Sequence, residues 1–274
     1  MQDATRDVGH EITVGRADEA RRIAYRTLDG TGPTIVWLGG YRSDMRGTKA
    51  EHLLAMAGAA GRGFLRLDYS GHGESGGRFE DGTISRWTQE AKAAIEAAGA
   101  ESVVLVGSSM GAWIALRLVA LARHETCNFS VEGLMLLAPA PDFTERLMRP
   151  KLTDADLQAL RTHGYITEAS DYSEQPNIYT RALFEDGANN LVMAETIETG
   201  CPIAILQGMA DPDVPYTHAL DLMERLPSDN VTMTLVRDGD HRLSRPQDLA
   251  LIERLLTDLL SNIDQSRISA STPQ

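Results

Sequence analysis

Gly107-Ser108-Ser109-Met110-Gly111 sets a serine midway between two glycines. Ahead of it, Val103-Val104-Leu105-Val106 reads as a buried strand, and after it Met110 to Ala122 is apolar nearly all round and reads as a buried helix. A chain that turns this sharply from strand to helix forces the central residue into a strained conformation and projects its side chain beyond the sheet. Small residues two positions either side leave room for the turn. Ser109 is therefore the candidate nucleophile; Ser108 lies off the centre of the two glycines. The Met110 amide faces the same spot from a helix N-terminus, where the dipole favours negative charge. Without the flanking strand and helix the pentapeptide would be only a small-residue turn.

A serine hydroxyl needs a base, and the base needs an acid to orient it. The strand candidate Ile203 to Gln207 runs into Gly208-Met209-Ala210-Asp211-Pro212-Asp213-Val214-Pro215, and Val231 to Val236 runs into Arg237-Asp238-Gly239-Asp240-His241. Serine, aspartate and histidine in that chain order is one of the known triad orders. His241, just past the last strand, is the candidate base. Of the two aspartates, Asp211 is the candidate acid, being nearer the strand end and held extended by Pro212. Asp213 is expected to cap the helix that Pro215 opens. A second oxyanion donor should come from Gly39-Gly40-Tyr41, where two glycines let the Tyr41 amide turn towards that of Met110. A plain glycine turn is the competing reading.

The remaining histidines point to less chemistry. In Asp68-Tyr69-Ser70-Gly71-His72-Gly73-Glu74-Ser75, Asp68 and His72 read as anchors of a tight loop. His10, His52, His124, His163 and His218 have no metal-ligand spacing, so no metal is expected. No Walker lysine follows a glycine loop and no Gly-x-Gly-x-x-Gly opens a helix, so no nucleotide or other cofactor is implied.

These residues need a rigid frame. Short apolar strands alternate with helical patterns, which argues for a mostly parallel sheet covered on both faces. The strands expected are Arg21 to Leu28, Thr34 to Leu38, Gly63 to Leu67, Val103 to Val106, Leu134 to Leu137, Ile203 to Gln207 and Val231 to Val236, with an antiparallel edge near Glu11 to Val14. The helices expected between them are Lys49 to Ala60, Ser85 to Ala98, Met110 to Ala122, Tyr216 to Leu226 and Gln247 to Leu260. The core is thus assigned to residues 1–140 and 201–265. Residues 141–200 break the alternation and read as a helical cap over the C-terminal edge of the sheet, with helices at Leu152 to Leu160 (start signal at Thr153) and Tyr179 to Leu191. Within it Phe143, Leu147, Met148, Tyr165, Ile166, Tyr179 and Phe184 could supply an apolar pocket. Residues 266–274, rich in serine, read as a frayed tail.

Four stretches carry a resemblance: Gly40-Tyr41-Arg42-Ser43-Asp44-Met45, Asp68-Tyr69-Ser70-Gly71-His72-Gly73, the serine pentapeptide, and Gly239-Asp240-His241-Arg242-Leu243-Ser244. Together they make the chain resemble the α/β-hydrolases, and among them the group of depalmitoylating thioesterases that also cleave acyl glucuronides. The resemblance implies an α/β-hydrolase fold, a Ser-Asp-His triad and no cofactor. It puts Asp211 at the acid position, because Asp-x-x-Val-Pro resembles the acid loop of that group. The substrate it implies is much less specific, since related hydrolases change substrate by changing the cap.

The bulk properties narrow the field. The chain has 274 residues, 42% hydrophobic, and a formal net charge of −13. It has no Lys/Arg cluster to neutralise phosphates, so nucleic acid is not an expected partner. No apolar run reaches the length of a membrane span. Cys127 and Cys201 are isolated, and Met1 to Asp7 has neither a basic nor an apolar signal-peptide region, so a cytoplasmic location is expected. The expected partner is a small-molecule ester or thioester; the sequence does not specify an oligomeric state. The first reading is a serine hydrolase acting through an acyl-serine. Its competitors are a peptidase or C–C bond hydrolase with the same triad, and a non-catalytic scaffold of the same fold.

Overall fold

A computed structural model describes residues 7–124, 127–169, 175–227 and 230–271. Eight strands form one sheet: β1 (Val8–Val14), β2 (Arg21–Leu28), β3 (Thr31–Leu38), β4 (Arg62–Leu67), β5 (Ser102–Ser108), β6 (Ser130–Leu137), β9 (Ile203–Gly208) and β10 (Val231–Val236). Their spatial order is β1-β2-β4-β3-β5-β6-β9-β10. β2 pairs antiparallel with both β1 and β4, while β4 and the strands beyond it run parallel.

The inner strands are apolar on both faces because both faces are covered. Along β5, Val103 and Leu105 enter one core while Val104 and Val106 enter the other. The first core is closed by α2 (Ile84–Ala97) and α3 (Met110–His124), the second by α1 (Thr48–Ala59) and α7 (Pro246–Ser271). α3 buries Met110 to Leu116 without interruption, as its all-round apolar sequence requires. α6 (Tyr216–Met223) lies beside β9 and β10.

The described residues of 141–200, the expected cap, depart from the helical expectation. They contain a π-helical turn (Thr144–Met148), α4 (Asp154–Thr162), a two-stranded hairpin of β7 (Tyr165–Glu168) and β8 (Asn177–Thr180), and α5 (Arg181–Ala188). Each hairpin strand is four residues long, too short for a period of two to stand out from the surrounding polar sequence. α4 starts where expected, on a capping box between Thr153 and Asp156. The neck of the cap is tied by the buried Asp142, whose carboxylate accepts from the Val192 and Met193 amides at 2.9 and 2.8 Å.

The tail expectation is also corrected: α7 continues through Ser271, and only 272–274 lie outside the described residues. Ile263 is buried against the sheet, and the Ser266 and Ser269 hydroxyls donate to the Asn262 and Gln265 carbonyls one turn back. Serines that read as loop formers are thus satisfied inside the helix.

Candidate active site

The strand–serine–helix turn forms as its spacing requires. Ser109 has φ +54°, in the left-handed region that a non-glycine residue occupies only when its surroundings enforce it. Its amide donates to the Leu137 carbonyl at 2.9 Å, and its own carbonyl accepts from Ala112 and Ala140. Both glycines are needed for close approach: a Cβ on Gly107 would lie 2.5 Å from the Gly111 carbonyl oxygen, and one on Gly111 would lie 2.0 Å from that of Leu38.

His241 reaches Ser109 from the loop after β10. Its Nε2 is 3.0 Å from Ser109 Oγ, and its Nδ1 is 2.8 Å from Asp211 Oδ2. An ionised carboxylate only accepts, so Nδ1 carries the proton and Nε2 offers a lone pair to the serine hydroxyl. The two loops meet because Gly208 and Gly239 pack backbone against backbone; a Cβ on Gly208 would fall 2.3 Å from the Gly239 carbonyl oxygen. Asp240 fixes the turn by accepting from the Leu243 amide at 2.9 Å.

Asp211 is the carboxylate that faces the histidine, and its side chain is fully buried. Oδ1 accepts from the Asp213 and Val214 amides at 2.9 and 2.8 Å. Oδ2 accepts from His241 and, at 3.1 Å, from Gln207 Nε2. Asp213 is exposed, and the expectation that it caps the following helix does not hold. That helix begins at Tyr216, Pro215 occupies the cap position, and no side-chain cap bond is made. The reason is local: Asp211 captures the two following free amides in its own turn, which leaves the chain extended through Pro215. Asp211, Asp213 and His241 are the one group among the described residues with clustered metal-ligand atoms. Both ring nitrogens of His241 are already hydrogen-bonded, one to Asp211 and one to Ser109.

Gly39-Gly40-Tyr41 leaves β3 against the serine turn, and a Cβ on Gly40 would touch Ser109 Cβ at 3.3 Å. Tyr41 and Met110 border the same cavity as Ser109. The next residue, Arg42, has φ +58°, and its amide donates to His72 Nε2 at 3.2 Å. His72 Nδ1 in turn lies 3.2 Å from the Ser70 carbonyl oxygen. Burial holds the His72 pKa down to about 4, in keeping with a neutral ring that donates at one nitrogen and accepts at the other. Asp68 accepts from the Met45 and Glu74 amides, both at 2.7 Å, and burial raises its pKa. The two expected loop anchors therefore clamp the 41–47 loop.

Contacts invisible in the sequence join this loop to the cap. The Tyr41 hydroxyl donates to the Ile178 carbonyl, its ring stacks on Tyr179 with centroids 5.1 Å apart, and the Arg42 guanidinium donates to the Pro176 carbonyl. The cavity over Ser109 has a volume of about 890 Å³. Phe143, Leu147, Met148, Ile166 and Tyr179 line it from the cap, together with the polar side chains of Lys151, Asp156, Glu168 and Asn177. Tyr165 turns out to solvent, and Phe184 is buried away from the cavity beneath the Arg149 guanidinium.

Residues 35–251 match the Alpha/beta hydrolase family. Palmitoyl-protein thioesterase ABHD10, mitochondrial, of mouse is 30% identical over 250 residues, 89% of this chain and 81% of its own length. The human protein of that name is 29% identical over 243 residues, 88% and 77% of the two chains. A solved protein from Agrobacterium vitis S4 superposes with a TM-score of 0.91 at 54% identity, covering 93% of this chain and 99% of that one. The solved mouse alpha/beta hydrolase domain-containing protein 10 superposes with a TM-score of 0.81 at 28% identity, with the same coverage. With this fold, this site and a family match over most of its length, the chain belongs to the Alpha/beta hydrolase family and is an enzyme of the hydrolase type.

Proposed function

We propose that this hydrolase cleaves carboxylic esters or thioesters through an acyl-serine intermediate, with Ser109 as nucleophile, His241 as general base and Asp211 as the orienting acid. The observation that carries the reading is the hydrogen-bonded line Ser109–His241–Asp211 opening on a cavity whose cap side carries Phe143, Leu147, Met148 and Ile166 beside polar groups. His241 Nε2 takes the Ser109 proton as Oγ attacks the acyl carbon. The carbonyl oxygen becomes an oxyanion, held by the Tyr41 and Met110 amides, the latter at the N-terminus of α3. Collapse of the tetrahedral intermediate breaks the bond to the leaving group, and His241 returns the proton to the departing alcohol or thiol. Water, deprotonated by the same nitrogen, then attacks the acyl-serine and releases the carboxylic acid.

The thioester alternative is supported by the relatives named as palmitoyl-protein thioesterases, and the apolar side chains on the cap side suit an acyl chain. The test is labelling by a fluorophosphonate probe, followed by turnover on a panel of acetyl and long-chain esters, thioesters and acyl glucuronides. The Ser109→Ala protein should fold, resist the probe and lose several orders of magnitude in turnover. Undiminished turnover in that variant would overturn the mechanism.

A further inference from the structure

The last residues of β9 hold a polar side chain that the proposed chemistry does not itself call for. Gln207 is wholly buried. Its Nε2 is surrounded by three acceptors: the Gly208 carbonyl at 2.9 Å, Asp211 Oδ2 at 3.1 Å and the Val214 carbonyl at 3.1 Å. Three oxygens around one amide nitrogen fix which way the amide points, because the flipped orientation would set oxygen against oxygen. Its Oε1 finds no donor among the described residues. Two of the three acceptors are backbone carbonyls of the acid loop, so the amide ties that loop to the end of β9, a task no apolar side chain could do. The third acceptor is the same carboxylate oxygen that takes the His241 N–H.

Building on the triad reading above, we infer that Gln207 is a positioning residue for the reaction, acting through Asp211. The carboxylate has about four acceptor directions, and four donors occupy them: two backbone amides on Oδ1, and His241 with Gln207 on Oδ2. The backbone amides hold one oxygen. Gln207 holds the rotation of the other, so that its lone pair stays on the imidazole line. Gln207 also shares the negative charge that faces His241. Removing its donor should therefore misalign the acid and leave more of that charge on the imidazole. The carboxylate itself would remain buried.

The test uses Gln207→Met, close in shape but without a donor, and Gln207→His, which keeps an N–H. Gln207→Met should lower kcat by about 10- to 100-fold with KM moved less than about threefold, because the loss falls on the transition state. The acidic limb of its kcat/KM profile should move to higher pH by about half a unit, since more negative charge faces the base. Gln207→His should recover most of the rate. Gln207→Met should also change the residual rate of an Asp211→Asn enzyme by less than about twofold, because a residue acting through Asp211 has nothing left to act on. An equal loss in both backgrounds, or a Gln207→Met enzyme with wild-type kcat and pH profile beside an inactive Asp211→Asn, overturns the role of Gln207 and leaves the triad standing. An Asp211→Asn enzyme with full turnover overturns the triad reading and the Gln207 role with it.

Discussion

Replacing His72 by glutamine should make the protein markedly less sensitive to acid. The imidazole sits in an aromatic box, 5.4 Å from the Trp87 ring and 5.1 Å from that of Phe79, and only 5% exposed. Its Nε2 accepts from the Arg42 amide, so protonation would remove that acceptor as well as bury a charge. Burial lowers its pKa from 6.5 to about 4. The unfolded chain therefore binds a proton below pH 6.5 that the folded chain refuses until about pH 4. Unfolding takes up protons in that window, so stability contributed by this group is complete above pH 6.5 and falls as the pH drops. At 1.4 kcal/mol per tenfold, the loss between pH 8 and pH 5 from this one residue is about 2 kcal/mol. Glutamine cannot titrate, and its amide oxygen can still accept from Arg42. Burial also lowers the His218 pKa, with the same sign, and raises those of Asp68 and Asp142, with the opposite sign. These groups are common to both proteins and cancel in the comparison. Urea unfolding of both at pH 8 and pH 5 should show wild type losing about 2 kcal/mol more than His72→Gln. Equal losses would refute the idea that His72 is held neutral by its burial.

The remaining expectations concern the acid, the pocket and the cap. Asp211→Asn should cut turnover by a factor on the order of 10⁴ with the fold preserved, because the histidine loses its tautomer and orientation. Asp213→Asn should stay within a few-fold of wild type in the same assay, since the carboxylate hydrogen-bonded to His241 Nδ1 is that of Asp211; a dead Asp213→Asn beside an active Asp211→Asn would reverse the assignment. Met148→Trp should fill part of the cap wall and lower kcat/KM for long-chain esters by about tenfold or more while sparing acetyl esters; equal losses on both would place Met148 away from the acyl path. Asp142→Ala strands one buried and one half-buried amide at the cap neck and should cost about 2 kcal/mol in chemical denaturation. A change under about 0.5 kcal/mol, the scale of ordinary surface substitutions, would show that the neck is held by other contacts.

Much of this protein is written in short-range pattern. Buried parallel strands are mostly apolar on both faces, so Val103 to Val106 and Ile203 to Leu206 announce themselves as continuous runs. The serine turn is equally legible, because its geometry depends on glycines two residues away and on the elements it joins. Pro212 singles out Asp211 within its own loop, and the order of strands brings Asp211 and His241 to the edge where Ser109 emerges. Other features depend on groups far apart in sequence, which no local pattern encodes. Asp213 has the position of a helix cap but loses that role, because Asp211 takes the nearby amides first. The cap hairpin has strands too short to show a period, and it stands where Tyr41 and Arg42 grip it from more than a hundred residues away. The terminal serines look like a tail until Ile263 finds the sheet. Gln207 reads as one more strand residue, and only the folded chain surrounds its amide with three oxygens, one of them on Asp211. Hydrophobic periodicity and backbone sterics act over a few residues and can be read along the chain. Hydrogen-bond satisfaction of a buried group depends on whichever atoms the packing delivers, and that is decided only in three dimensions.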